Sequence, residues 1–586
     1  NPPKGEVGHR PMLHPRVLDS INAKLSDIPA RKDVRIWSLN EALNPRHHGS
    51  VLNPVPRSTS SGLLHKGPGK KHYIGYDEEH DLYFAQGGLK GKVASFLDTV
   101  ALGKLPLTIY AEFCKDELRT KKKIAATSAR TISGSPLTLT MVTTMCYGAF
   151  LDAFQRVPHY WGHTVGVDIM GRQWDVIIQK LKDNAPNGFD GDFKAFDTTM
   201  SYQFMRSFFE HVDKWYKING AWSKEDRALR WACIYSLCFS KHACGKTVFT
   251  MFSGMCSGSR LTTIMNCFWS KALIMYAYAT LAPDDNILGT CNFTLDGFDR
   301  FVVFYVLGDD NFGSVKPVIA HWFNPAAISR ALANIGITYT PAKKNTEHST
   351  TLRPVEDLEF LANTTGSGRG FDFIPYMKYY PVIKTSSLAK MVAYMKPSAL
   401  PGRDACTATA DNLTAALLSV HLSGEERFDM VRQSVKVFRE LYPHSEYKFP
   451  TFQELCLKYL PLPPPKIVDR YQGITMSKTS TNVTNVQSSG VELNQDNSLE
   501  TKTAVDARAG LDAPNVPVCQ VAALQQGAPF PASAETVTFA PVMGITPVLE
   551  KPDTSTINTG NDMDLQSLTR MTWRDTFEWK SITPEG

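Results

Sequence analysis

An apolar run, Phe301-Val302-Val303-Phe304-Tyr305-Val306, ends in Leu307-Gly308-Asp309-Asp310-Asn311 and resumes as a short apolar stretch from Phe312 to Val315. β-Branched and aromatic residues on both sides of a tight Gly-Asp turn predict a hairpin with two adjacent carboxylates at its tip. Two anions held there repel, so a cation is implied. At roughly 4 Å the pair costs a few kcal/mol at intermediate dielectric, and a bound divalent ion converts that cost into affinity. Taken alone, a Gly-Asp-Asp turn also fits a solvated surface loop.

A second acidic segment lies upstream, Phe189-Asp190-Gly191-Asp192-Phe193-Lys194-Ala195-Phe196-Asp197. Asp192 falls near the end of an expected strand. Asp197 follows five residues later, just before the helical spacing Met200, Phe204, Phe208, Val212. A strand-to-helix corner thus carries two acids. Between the two acidic sites runs Ser253-Gly254-Met255-Cys256-Ser257-Gly258-Ser259-Arg260-Leu261-Thr262-Thr263-Ile264-Met265-Asn266, a Gly/Ser-rich loop leading into a long apolar helix. Thr262 and Asn266, four residues apart, share one face of that helix.

This order of elements resembles the palm of RNA-dependent RNA polymerases of positive-strand RNA viruses, especially the picornavirus-like group. Lys115-Asp116-Glu117-Leu118-Arg119, followed by Lys121, Lys122, Lys123 and Arg130, resembles that family's basic finger motif. Gly336-Ile337-Thr338-Tyr339-Thr340-Pro341-Ala342-Lys343-Lys344 resembles the segment that ends in its palm lysine. Phe360-Leu361 is similar to the start of the hairpin that grips the primer, and Thr59-Ser60-Ser61-Gly62 to the template-entry loop. The resemblance covers roughly residues 1 to 460. It implies an α+β fold, a right-hand polymerase with fingers, an antiparallel palm sheet and a helical thumb, followed by a largely disordered tail.

The resemblance also assigns chemistry. It implies template-directed RNA synthesis, with nucleotidyl transfer from NTPs to the 3′-hydroxyl of an RNA primer on an RNA template. Two Mg²⁺ ions, which Mn²⁺ can replace, would be bridged by Asp192 and Asp309 and supported by Asp310. The 2′-hydroxyl of the incoming nucleotide falls to Asp197, Ser257, Thr262 and Asn266, with Gly258 letting the loop flex against the template base. Lys115, Lys123 and Arg130 would hold phosphates, and Lys344 would protonate the leaving pyrophosphate. Three departures stand out: Leu307 replaces the usual Tyr, Ser128 occupies an often basic position, and Ala362-Asn363 replace Lys-Arg.

Composition fits this reading. The chain is 43% hydrophobic and 20% charged, which is globular. Residues 466 to 586 hold nine Lys or Arg against fourteen Asp or Glu, leaving 54 against 43 in residues 1 to 465. The basic excess therefore sits in the polymerase-like part, where a phosphate backbone would run. Eleven scattered cysteines without a C-x-x-C pair fit reduced thiols, and the spacing of Cys233, Cys238, His242 and Cys244 matches no common zinc pattern. No transmembrane segment is expected; the longest apolar stretches, around 136 to 151 and 261 to 279, are Thr-rich or interrupted by Lys271. Peripheral association with a membrane remains compatible with the sequence. The start, Asn-Pro-Pro-Lys, reads as an excerpt of a longer polypeptide.

The expected organisation is a fingers-like region at 1–165, palm at 166–384, helical thumb at 385–460 and a proline-rich boundary at 461–472. A disordered linker follows at 473–562, then a segment at 563–586 that resembles the start of picornavirus-like capsid proteins. Gln472-Gly473 and Gln487-Ser488 resemble sites cut by the chymotrypsin-like cysteine proteases of such viruses. Expected partners are RNA template and primer, NTPs, other viral replication proteins and a processing protease, in the host cytoplasm at viral replication complexes. Rival readings are a reverse transcriptase, which Asp197 and Asn266 argue against, and a two-metal nuclease, which has no need of the loop from Ser257 to Asn266. Another is a structural polyprotein segment whose capsid-like tail is the main product.

Overall fold

The computed structural model describes residues 13 to 459 except 14, 32, 66, 68, 116, 118–120, 126–128, 284–296, 344–348, 368–376 and 395–403. The proline-rich boundary, the linker, the two Gln junctions and the capsid-like segment lie outside the described residues.

At the centre is an antiparallel sheet. Tyr339–Thr340 lies beside Asn187–Phe193, which pairs with Asp310–Val315, which pairs in turn with Val302–Leu307. Arg353–Pro354 adds to the far end of Asn187–Phe193. Successive strand residues point to opposite faces, and both faces here are covered. Val302, Phe304 and Val306 enter one core with Phe189 and Phe193. Tyr305 and Phe312 enter another with Trp174, Ile177, Leu181, Val355 and Phe360. Each such side chain, fully buried, is worth about 1.5–3 kcal/mol relative to exposure. The mostly apolar run from Val302 to Leu307 follows from this double burial.

Long helices pack on the first face. Tyr202–Ile218 begins at Ser201, whose hydroxyl accepts from the Phe204 amide at 3.2 Å, and buries the stripe Phe204, Phe208, Val212. Lys224–Cys238 packs on it and is held by a buried pair, Arg230 to Asp213 at 2.6 Å. Leu137–Gln155 is, by length and composition, apolar enough to cross a membrane. It is buried among its neighbours here, as a core helix is. Thr262–Leu281 is likewise apolar nearly all round and buried over most of its length.

A second, four-stranded sheet orders Thr131–Gly134, Ile109–Cys114, Lys241–Cys244 and Thr247–Thr250. Its middle pair is parallel and joins segments about 130 residues apart in the chain. Beyond the hairpin Asn363–Ser367 with Tyr379–Ile383, the chain turns helical as Thr385–Ala393, Ala405–Val420, Glu425–Leu441 and Phe452–Tyr459. These helices share a third core of Leu413, Leu417, Val420, Phe428, Val431, Val435 and Phe438.

Candidate active site

Sheet register decides where the acids stand. Gly191 pairs with Asn311, and Leu307 closes the turn against Asp310. Asp192, one residue past Gly191 and paired with Thr340 on its other side, is thereby brought level with the Gly308-Asp309 loop. Gly308 has φ 68°, a left-handed conformation that glycine adopts at no steric cost. Asn311 locks the arrangement. Its Nδ2 donates to the carbonyls of Asp309 (2.8 Å) and Gly191 (3.2 Å), and its Oδ1 accepts from the Tyr339 hydroxyl at 2.8 Å. Gly191 lies flat on the Tyr339 ring, where a Cβ would fall 2.0 Å from Cζ. From the helix below, Cys267 Sγ accepts from the Gly308 amide at 3.3 Å.

The acids are electrostatically frustrated. Burial, then the charges of Asp192 and Asp197, push the Asp309 carboxyl up to about 6. Burial and the charges of Asp309 and Asp192 drive Asp310 well above its usual range, even though its Oδ2 accepts from the Leu361 amide at 2.8 Å. A divalent cation is the partner that would relieve this crowding. Among the described residues, no three His, Cys, Asp or Glu side chains form a complete ligand set. The carboxylates of Asp192, Asp309 and Asp310 are the oxygen donors that Mg²⁺ takes, with phosphate and water oxygens filling the rest of its shell.

Asp197 is reached through a tight corner. Ala195 has φ 52°, unusual for a residue with a Cβ, and the turn Phe196–Thr198 follows it. The Asp197 carboxylate opens to solvent yet is surrounded by protein, and burial raises it against the lowering effects of Asn266, Arg130 and Lys115. Asn266 Nδ2 donates to it at 3.0 Å. Asn266 Oδ1, also buried, has no hydrogen-bond partner among the described residues.

The loop before that helix is tied on every side. The Met255 amide donates to the Asp197 carbonyl at 2.7 Å and the Gly254 amide to that of Met200 at 2.9 Å. Thr262 Oγ1 donates to the Cys256 carbonyl at 2.6 Å, so this hydroxyl braces the loop. Ser257 Oγ accepts from the Ser133 amide at 2.9 Å. A Cβ on Gly258 would lie 2.2 Å from the Ser133 carbonyl oxygen. Glycine at 258 thus permits a close approach to the hairpin Ile109–Cys114 with Thr131–Gly134.

That hairpin carries the basic residues. Glu117 lies 3.7 Å from Lys115 Nζ and 3.3 Å from Arg130, and the Lys115 amide donates to the Arg130 carbonyl at 2.7 Å. The positive charges act on Asp197, and that of Arg130 reaches Asp309 as well. Lys123 sits on the short helix Lys121–Ala125, its side chain outside the described part. Ser128 and Lys344 are also outside the described residues. Thr59 to Gly62 is braced by Lys70 Nζ, which donates to Thr59 Oγ1 at 2.7 Å, and by the Leu137 amide on the Ser61 carbonyl at 2.9 Å.

Sequence reasoning missed the braces. Asn311, a polar residue followed by Phe312 inside an otherwise buried strand, was the available signal for its role. The turn at Leu361 (φ 52°) and Ala362 (φ 59°) carried no such signal, because neither residue is Gly or Asn. It presents the Leu361 amide to Asp310, and Phe360 stacks on Phe312 at 4.3 Å.

An antiparallel sheet bearing acids at one hairpin tip, an acid-amide pair beside them and a basic hairpin opposite defines a polymerase of the right-hand type. Residues 24–439 match the family model described as viral RNA-dependent RNA polymerase. The chain belongs to that family. It is 25% identical over 446 residues to the RNA1 polyprotein of Grapevine fanleaf virus, covering 73% of this chain and 18% of that protein. To the replicase polyprotein of Acute bee paralysis virus it is 23% identical over 335 residues, 56% of this chain and 17% of the relative. The chain thus spans less than a fifth of the length of these relatives. Among solved structures, a Sicinivirus 3Dpol RNA-dependent RNA polymerase shares the fold with a TM-score of 0.62 and 19% identity, over 78% of this chain and 87% of that one.

Proposed function

We propose that this chain performs template-directed RNA synthesis in viral genome replication, joining NTPs to the 3′-hydroxyl of an RNA primer on an RNA template. The observation that carries the reading is the sheet register that brings Asp192 level with the Gly308-Asp309 turn, beside Asn266, which donates to Asp197 and whose buried Oδ1 has no partner among the described residues. Asp192 and Asp309 would hold two Mg²⁺ ions, for which Mn²⁺ can substitute, and Asp310, braced by Leu361, supports them. When bound, such ions lower the pKa of the primer hydroxyl and neutralise charge on the triphosphate. Lys115 and Arg130, with Lys123 beside them in sequence, bind the phosphates.

Asn266 Oδ1 accepts a hydrogen bond from the ribose 2′-hydroxyl, which a deoxyribose cannot offer, while its Nδ2 stays on Asp197. Ser257, whose Oγ accepts from the Ser133 amide, would join Asn266 in reading that hydroxyl. Lys344 supplies the proton to the leaving pyrophosphate. The site of action is the host cytoplasm, at replication complexes with other viral proteins, after a viral protease has released the chain from its precursor. The test is extension of a primed RNA template by the purified chain with NTPs and Mg²⁺. No extension by well-folded wild type overturns the reading.

A further inference from the structure

Buried in the four-stranded sheet, next to the loop that carries Ser257, is a polar cluster that the chemistry above does not use. His242 is fully buried. Its ring lies between two cross-strand neighbours, Tyr110 at 5.4 Å and Phe249 at 5.3 Å, both stacked. Both ring nitrogens are engaged: Nδ1 with Glu112 Oε1 at 2.6 Å and Nε2 with Ser240 Oγ at 2.7 Å. With both nitrogens so occupied, the ring has none to spare for a metal, whatever the neighbouring cysteines offer. Cys256 Sγ lies 3.7 Å from Nε2.

Cys256 is where the loop's restraints meet. Its carbonyl accepts from Thr262, one helical turn before Asn266. Met255 before it is tied to Asp197, and Ser257 after it is tied to Ser133. Glu112 reaches the same place from the other side. It pairs with Ser133 in the strand register, and burial, which would raise its carboxyl, is outweighed by hydrogen bonds from His242, Ser133 and Thr131 that hold it below the usual range. A buried ring and carboxylate thus connect both anchors of the loop, Cys256 and Ser133, in one hydrogen-bonded unit.

We propose that Glu112 and His242 are positioning residues for sugar selection: they hold the loop Met255 to Gly258 so that Ser257 and Asn266 meet the incoming ribose in a fixed geometry. This rests on the proposed polymerase reading and deepens it. Neither residue has to touch the nucleotide. Their effect passes through Cys256 and Ser133, so it falls on discrimination more than on the reaction itself.

His242→Phe separates the two roles of the ring, because Phe keeps the stack between Tyr110 and Phe249 and loses both nitrogens. The ratio of kcat/KM for a matched NTP to that for the matching dNTP is measured in primed extension. The ratio is expected to fall about fivefold, with kcat for the NTP kept within about threefold. Glu112→Gln, which still accepts from Nδ1, should stay within about twofold of wild type. A merely structural role lowers the active fraction, which slows NTP and dNTP alike and leaves the ratio where it was. Should His242→Phe fail to fold around an unpaired Glu112, Glu112→Leu with His242→Phe removes both polar partners and reads the same ratio. Combination with Asn266→Ala should be less than multiplicative, since both act on one pocket. An unchanged ratio in these variants, beside a wild type that extends RNA with NTP preference, overturns the inference alone. A wild type that does not extend overturns the function instead.

Discussion

Asp309→Asn should stabilise the metal-free protein while abolishing its activity. Asparagine keeps the volume and removes a charge that burial penalises and that Asp192 and Asp197 repel. The Asp309 carboxyl is pushed from an ordinary value of 3.8 up to about 6. At 1.36 kcal/mol per unit, that amounts to about 3 kcal/mol of folding free energy lost when the group is ionised. The sign follows from proton binding. Below about pH 4 the carboxyl is protonated in both the folded and the unfolded chain, and nothing is lost. As pH rises to about 6 the unfolded chain ionises first, and above 6 the full penalty is present. For a folded region of this size, 3 kcal/mol is roughly 3 °C in Tm. Thermal melts in EDTA should therefore place Asp309→Asn roughly 3 °C above wild type at pH 7.5, with the gap closing toward pH 4. Adding Mg²⁺ should raise wild type and leave the variant nearly unmoved. A variant that melts at or below wild type in EDTA at pH 7.5, or a gap that persists at pH 4, would refute the electrostatic account.

Three further outcomes are expected. Asn266→Ala should cut the NTP-to-dNTP selectivity ratio on the order of tenfold in primed extension, because a deoxyribose no longer leaves a buried oxygen unsatisfied; an unchanged ratio marks a structural amide. Tyr339→Phe removes the donor to Asn311 Oδ1 and strands a buried acceptor, at a cost of about 1–3 kcal/mol in urea unfolding together with slower turnover. Identical unfolding midpoints would show that the Asn311 brace carries no weight. Lys344→Arg keeps the charge but not a transferable proton, so kcat should fall more than apparent NTP affinity; the reverse pattern makes Lys344 a phosphate contact.

The acidic hairpin was legible because three local signals agreed: β-branched residues on one arm, glycine at the turn and apolar residues resuming on the other arm. The helix Tyr202–Ile218 was legible for a similar reason, since Phe204, Phe208 and Val212 repeat at helical spacing directly after the acidic corner. Other features depend on pairings that no local pattern announces. The parallel contact of Ile109–Cys114 with Lys241–Cys244 spans about 130 residues, so neither the Glu112–His242 pair nor the place of Ser133 over Gly258 was visible from spacing. Sequence reading gave His242 only a weak metal role, because its neighbours in the chain are cysteines; its neighbours in space are Glu112 and Ser240. Left-handed Ala195 and Leu361 were hidden because those residues seldom take that conformation, and long-range packing imposes it on them. The resemblance assigned Thr262 to the ribose network, and the hydrogen bond of its hydroxyl to the Cys256 carbonyl, which joins helix to loop, has no local sequence signal.

The most direct measurement is paired: extension of a radiolabelled primer on an RNA template with NTPs and Mg²⁺, and binding of the same RNA, for wild type and Asp309→Ala. Wild type should extend to the end of the template. Asp309→Ala should bind RNA nearly as tightly, since binding depends on lysines and arginines, and should add no nucleotide. Extension by Asp309→Ala at the wild-type rate would contradict the assignment of the acidic hairpin as the catalytic centre.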